Sequence, residues 1–404
     1  AFALADTMAQ SLPRVMDAID ALARPALAVF ENEIDAITTY AKSQGGPDVL
    51  EPWDSNYWAA RYKEKYFNFD DKAFSQYLPF DQVLSGFFRH IEKLFDISFH
   101  ANDQHPVYHP EVRSFDVMDN ATGKVTGVIY VDPYARAAKR GGAWMEHIQF
   151  NMPGQMNCVI MTTNSLPGGV ISHFETEVLF HEGGHAVHGL LGSGSRHGVL
   201  QGTQNTPDYT EIFSKIQERW ASRPETLRDF ARHHETGEPL PQALLDALKR
   251  SKAFFTSFTY LRSLQNAVLD MEFHRMQPDA FTSCEDFSRR TAFSHKYQAH
   301  LRPFTLQRYM HGFDEALSKY AAGYFGYYWA NLHGAHAFAA FEKAGAYDAD
   351  TAARLKAMYM GGAAGDRDQM YNAFAGPAQA DALLPDLGLR ASGLAPPAPK
   401  ATPQ

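Results

Sequence analysis

Cysteine is nearly missing from this chain: only Cys158 and Cys284 occur among its 404 residues. Two thiols cannot supply a disulfide framework or a cysteine-ligated zinc site, and their scarcity points to a reducing compartment. Excess positive charge is missing as well. With 37 basic and 46 acidic residues the net charge is −9, which argues against a generic nucleic-acid binder. No internal repeat is visible. Ala1 opens neither a basic segment nor an apolar run, so a signal peptide is expected to be absent or already removed. Long apolar runs are scarce too. One uncharged stretch, Tyr320 to Phe341 ("YAAGYFGYYWANLHGAHAFAAF"), has membrane-spanning length. Its histidines, asparagine, glycines and tyrosines are costly in hydrocarbon. It is expected to form a buried helix or a cleft wall, not a membrane span, in an intracellular protein, cytoplasmic or organellar.

What is present is a large apolar reserve, 45% hydrophobic and 13% aromatic, enough for one large domain or two to three ordinary ones. Residues 1 to about 95 show helical spacing, interrupted at Pro13 and Pro25. "EPWDSNYWAARYKEKY" (Glu51 to Tyr66) opens a further helix. Two strand-like runs, "EVRSFDVMD" and "KVTGVIYVD", flank the turn signal "NATG", so a small sheet or hairpin is expected near 99–135. Helical patterning returns past Phe174 and lasts to about Phe374, with "FFTSFTYLRSLQNAVLDMEFHRM" as one clear helix. The expected fold class is mostly α with a small β-sheet. Residues 1–390 form the folded region, and the Ala/Pro-rich residues 391–404 are expected to be a disordered tail.

The segment "HEGGHAVHGLLG" (His181 to Gly192) poses the central question, because four glycines suggest a loop while the histidines suggest a metal helix. A helix turns about 100° per residue and rises about 1.5 Å. On that wheel His181, His185 and His188 share one stripe, and Leu179, Phe180, Ala186, Val187, Leu190 and Leu191 gather opposite. A loop has no reason to sort them in this way. His181 and His185, four apart, can reach one ion. Glu182 projects beside that ion, where it can take a proton from water. His188 lies about 10.5 Å along the axis from His181, too far to share the metal easily, and is expected to orient something in the second layer or in the cleft. A short motif of this kind also arises by chance, and a catalytic zinc needs a third ligand. "TPDYTEIFSKIQERW" (Thr206 to Trp220) begins a helix at Pro207 or Asp208. Spacing alone leaves Asp208, Glu211 and Glu218 all open.

Taken together, these segments resemble the thimet oligopeptidase family of zinc metallopeptidases. The likeness runs along nearly all of Ala1 to Leu389 and includes "EPWDSNYWAARY", "HPVYHPEVRSFDV", "GVIYVDPYARAAKRGGAW", "ETEVLFHEGGHAVHGLLG", "GTQNTPDYTEIFSKIQERW", "YAAGYFGYYW" and "GDRDQMYNAFAG". The resemblance implies one Zn2+ held by His181, His185 and Glu211, with Glu182 as general base. It implies a multi-helix catalytic domain with a small sheet and a deep channel that admits short unstructured peptides. It assigns Tyr324 and Tyr327 to substrate and oxyanion binding and aligns Tyr320 with a third tyrosine of the same loop; a phenol donor suits that task. His311 and His188 are the remaining substrate-side candidates.

Departures accompany the likeness. Members of that family are considerably longer, and a helical region that walls the channel precedes the part matched by Ala1. The chain is therefore expected to be a fragment, a processed form, or one half of a split protein whose partner chain supplies the wall. Gly183 stands where a bulky residue is usual, and Phe213-Ser214-Lys215 where Pro-Ser-Gln is usual. The segment before Tyr320, "HGFDEALSKY", is longer than the family's. A second reading is a non-catalytic, peptidase-derived structural or assembly subunit.

Overall fold

In a computed structural model of the chain, residues 4–51, 53–290, 310, 320–363 and 365–389 are described. They form two compact units, one from Ala1–Asp70, Asp246–Leu332 and Gln379–Gln404, the other from Asp71–Leu245 and His333–Ala378. The expected tail at 391–404 and His311 lie outside the described residues.

The first unit is helical. Its longest element is α1 (Leu12–Ser43), followed by α2 (Ser55–Phe67). Contrary to the sequence expectation, neither proline interrupts α1. Pro13 sits at its first turn, where the missing N–H costs no intrahelical bond. Pro25 lies inside the helix and removes one bond, at a cost of up to about 3 kcal/mol. The buried stripe Val15, Ile19, Leu22, Ala26, Phe30, Ile34 and Ile37 offsets that loss by burying apolar area.

In the second unit, α3 (Asp71–Ser75) and α4 (Phe80–Phe95) lead into a five-stranded sheet. Its strands are β1 (Ile97–Ala101), β2 (Arg113–Asp119), β3 (Lys124–Tyr134), β4 (Trp144–Gln149) and β5 (Asn157–Ser165), in the spatial order β1-β2-β3-β5-β4. All neighbours are antiparallel except the parallel pair β3 and β5. The "NATG" turn does join β2 to β3: Gly123 takes a φ of +65° and its N–H reaches Asp119 O. The sheet extends beyond the expected 99–135, because β4 and β5 are short runs whose apolar residues carry no helical or alternating signature. After the sheet come α5 (His173–Leu191), α6 (Pro207–Trp220) and α7 (Pro224–Phe230). The chain passes to the first unit within α8 (Gln242–Ser251).

There α9 (Thr256–Arg275) packs on α1, with the Phe30 and Phe258 rings stacked at 5.9 Å. Glu33 of α1 accepts from the Phe255 N–H and the Ser257 hydroxyl at the start of α9, placing a carboxylate at a helix N-terminus. Then come α10 (Cys284–Arg290) and, returning to the second unit along its length, α11 (Phe325–Ala344). The last helices are α12 (Ala349–Met360) and α13 (Arg367–Ala375). The uncharged stretch at 320–341 is thus a turn followed by a helix whose Phe325, Trp329, Ala330, Ala337, Phe338 and Phe341 are buried. Among the described residues no helix is long and apolar enough to cross a membrane.

Candidate metal centre

The glycine-rich segment is helical. Ser172 starts α5 with a capping box: its hydroxyl accepts from Glu175 N–H, and the Glu175 carboxylate accepts from Ser172 N–H. At the other end Asn157, the first residue of β5, donates its amide to Gly189 O and Leu190 O. Carbonyls left unpaired by the end of the helix are thereby satisfied. The helical wheel sorted the side chains correctly but understated the burial, since the histidine side is also covered by protein. α5 lies between α6, α4 and the sheet.

The adjacent glycines serve two different neighbours. A Cβ at Gly183 would fall 2.3 Å from the Phe87 ring on α4. A Cβ at Gly184 would fall 2.9 Å from Ser214 Cα on α6. Gly183 therefore makes room for an aromatic ring, and Gly184 lets the two helix backbones approach. The second approach matters for chemistry, because α6 carries Glu211.

His181, His185 and Glu211 converge. The Nε2 atoms of the two histidines are 3.2 Å apart, and Glu211 Oε2 lies 3.3 Å from the first and 3.2 Å from the second. Tetrahedral ligand atoms at zinc bond lengths of about 2.0–2.1 Å are separated by about 3.3 Å. The three atoms thus already stand as one face of such a tetrahedron, and their donor set fits zinc. Glu211 is further fixed by Ser214, whose hydroxyl donates to Oε2. Asp208 is buried at the start of α6 but is not part of this group.

Glu218 is about two helical turns beyond Glu211 on α6 and takes another position. Its Oε1 accepts from His181 Nδ1 at 2.5 Å and from Lys215 Nζ at 2.6 Å. A carboxylate on the far nitrogen fixes the tautomer and orientation of a ligating imidazole. Spacing had left Glu218 open as a ligand; its contact with His181 is tertiary and has no sequence signal.

The charges here are strongly coupled. Burial disfavours a charged His181, but contacts with Glu211 and Glu218 outweigh it and raise its pKa to about 10. Burial likewise opposes ionisation of Glu211, yet His185 and His181 pull it well below the carboxylate range. Glu218 follows the same logic, burial being overcome by Lys215 and His181, and falls to about 2. Glu182 behaves differently. It is buried, and burial, together with the nearby Glu211 and Glu218, raises its pKa despite the two histidines. A raised carboxylate beside a metal set is suited to moving a proton.

His188 is fully buried and neither ring nitrogen has a partner. Its ring stacks on Phe213 at 3.8 Å with Tyr359 nearby, and burial holds its pKa well below the usual imidazole value. In this structure it occupies an interior position between α5 and α6. Tyr320, Tyr324 and Tyr327 belong to the first unit, whereas the histidines and Glu211 belong to the second. Within their own unit the Tyr320 and Tyr327 rings stack at 5.5 Å, and Tyr324 OH accepts from Asn266. The quoted "VDPYARAAKRGGAW" stretch also acquires a structural account: buried Asp132 accepts from Arg136, Lys139 and Tyr108.

Residues 1–389 match the model of peptidase family M3. Oligopeptidase A of Salmonella typhimurium is 30% identical over 403 residues, which cover 96% of this chain and 58% of that protein. Dipeptidyl carboxypeptidase of Escherichia coli is 27% identical over 390 residues, covering 94% and 56%. The mitochondrial intermediate peptidase of Arabidopsis thaliana is 27% identical over 339 residues, covering 80% and 47%. The chain therefore spans about half the length of these curated relatives.

Proposed function

The chain belongs to peptidase family M3, and from that premise we propose that it hydrolyses peptide bonds in short peptides, with one zinc ion held by His181, His185 and Glu211. The observation that carries this reading is the triangle of ligand atoms 3.2–3.3 Å apart, presented by two helices. When bound, zinc supplies Lewis acidity that polarises a scissile carbonyl and makes water a better nucleophile. Glu182 takes the proton of the attacking water and delivers it to the departing amine. Glu218 keeps His181 oriented, and Ser214 keeps Glu211 oriented. Tyr324 and Tyr327 as oxyanion donors, and Tyr320 and His311 on the substrate side, are proposed on resemblance alone. The shares of the relatives' lengths matched here support a further proposal, that a separate segment or chain completes the substrate wall.

The test is cleavage of a quenched fluorogenic peptide by zinc-loaded protein. Activity is expected to vanish on chelation, return with zinc, and fall by about 10²–10⁴-fold in Glu182→Gln while the metal stays bound. If zinc-loaded protein stays inert even with the segment that precedes it in longer relatives, the enzyme reading fails and the structural-subunit reading replaces it.

A further inference from the structure

We propose that Lys215 is a positioning residue of the metal centre: it locks the Glu218 carboxylate against His181, so that the imidazole presents Nε2 to the ion. This rests on the zinc reading above and extends it to a residue that touches neither metal nor substrate.

A single oxygen carries the argument. Glu218 Oε1 receives both His181 Nδ1, at 2.5 Å, and Lys215 Nζ, at 2.6 Å. Two donors on one oxygen fix the carboxylate rotamer from two directions. Without the lysine, the partly exposed Glu218 side chain is free to rotate, exchange its oxygens or swing toward water. His181 would then lose the partner that sets its tautomer. An ordinary lysine–glutamate pair three apart on a helix contributes little to stability. This one acts on a metal ligand through the carboxylate it holds.

A second observation concerns the lysine stem. A Cβ at Gly334 of α11 would stand 2.9 Å from Lys215 Cβ, so that helix passes directly over the stem. A lysine free in solvent has much rotamer entropy to lose on ordering; here the backbone of α11 already confines the first part of the side chain. Its head group also lies in the field of Glu177, Glu211 and Glu218.

The experiment is a set of zinc dissociation constants, measured by competition with a chromophoric chelator at fixed pH, with circular dichroism and thermal unfolding of the metal-free proteins alongside. Lys215→Met is expected to weaken zinc by about 10-fold, the low end for losing such a partner. Lys215→Arg should restore much of that affinity. Glu218→Gln should weaken zinc at least as much, and the double variant Lys215→Met/Glu218→Gln should bind no more weakly than Glu218→Gln alone. A merely structural ion pair would shift unfolding temperature but show no such dependence on Glu218. Wild-type affinity in folded Lys215→Met, or full additivity in the double variant, overturns the proposal. A wild-type chain that binds no zinc would instead bring down the metal reading itself, and this inference with it.

Discussion

Among the described residues the second unit holds two His-His-Glu groups, and they are built differently. In His181, His185 and Glu211 the ligands come from two helices and are mostly buried, and His181 and Glu211 are each held from behind. In His233, His234 and Glu235 three consecutive residues also bring their ligand atoms within 4.8 Å of one another, but mostly at the surface. There His233 Nδ1 accepts from the backbone N–H groups of Glu235 and Thr236, and His234 Nε2 meets the Gln76 side chain at 2.8 Å. Ligand type and proximity are common to both. Preorganisation is not: in the buried group His181 Nδ1 is tied by Glu218 and the Glu211 carboxylate by Ser214, while the two Nε2 atoms and Glu211 Oε2 converge within 3.2–3.3 Å. A metal bound at the surface group would have to compete with contacts already made there.

Substitution of one histidine in each group should break the comparison most sharply. His185→Ala is expected to abolish the one equivalent of zinc that survives gel filtration, and with it peptide cleavage. His234→Ala should leave both unchanged. Elemental analysis of the two variants checks this. Retention of zinc by His185→Ala together with its loss in His234→Ala would reverse the assignment.

A smaller effect comes from pH. Without metal, His181 holds a proton up to about pH 10, because Glu211 and Glu218 overcome its burial. Zinc needs the neutral ring, so binding must expel that proton throughout the neutral range. Affinity should therefore rise with pH, by about tenfold per unit for one proton, or roughly 100-fold between pH 6 and pH 8. Chelator competition at several pH values reads the slope, and a flat profile would contradict the coupling. The same shift has the opposite sign for the metal-free fold. A pKa raised on folding stabilises fully below about 6.5, and that stabilisation is lost as pH climbs toward 10. Metal-free protein should therefore melt at a lower temperature at pH 9.5 than at pH 7.

How far this contrast was legible beforehand depends on where each constraint acts. The periodicity of α5 and the pairing of His181 with His185 are local and could be read from residue spacing. The third ligand was not local. Asp208, Glu211 and Glu218 share one helix, and only family resemblance favoured Glu211, the residue the structure brings to the histidines. The contact of Glu218 with His181, the ring of Phe87 over Gly183, and strands β4 and β5 depend on segments far apart in the chain. Pro25 misled for a related reason: its local cost is real, but long-range packing of α1 outweighs it. The packing of His188 on Phe213 of α6 is another tertiary contact that the histidine stripe alone does not reveal.

The finest comparison is between two neighbouring glycines. Both lack the room for a methyl group, so both alanine variants gain about 1 kcal/mol of helix propensity and lose more to overpacking, typically about 1–3 kcal/mol. Their neighbours differ. At Gly184 the obstacle is the backbone of α6 at Ser214, which cannot move without carrying Glu211, three residues earlier, away from the histidines. Gly184→Ala should thus weaken zinc by about 10-fold, in the range expected when a ligand's support is disturbed. At Gly183 the obstacle is the Phe87 ring, on a helix that contributes no ligand. Gly183→Ala should lower the unfolding temperature while leaving zinc affinity within about twofold, and Phe87→Leu added to it should recover part of the lost stability. If a folded Gly183→Ala protein lost its zinc, the side of α5 facing α4 would have to be coupled to the ligands, and the division of labour between the two glycines would be wrong.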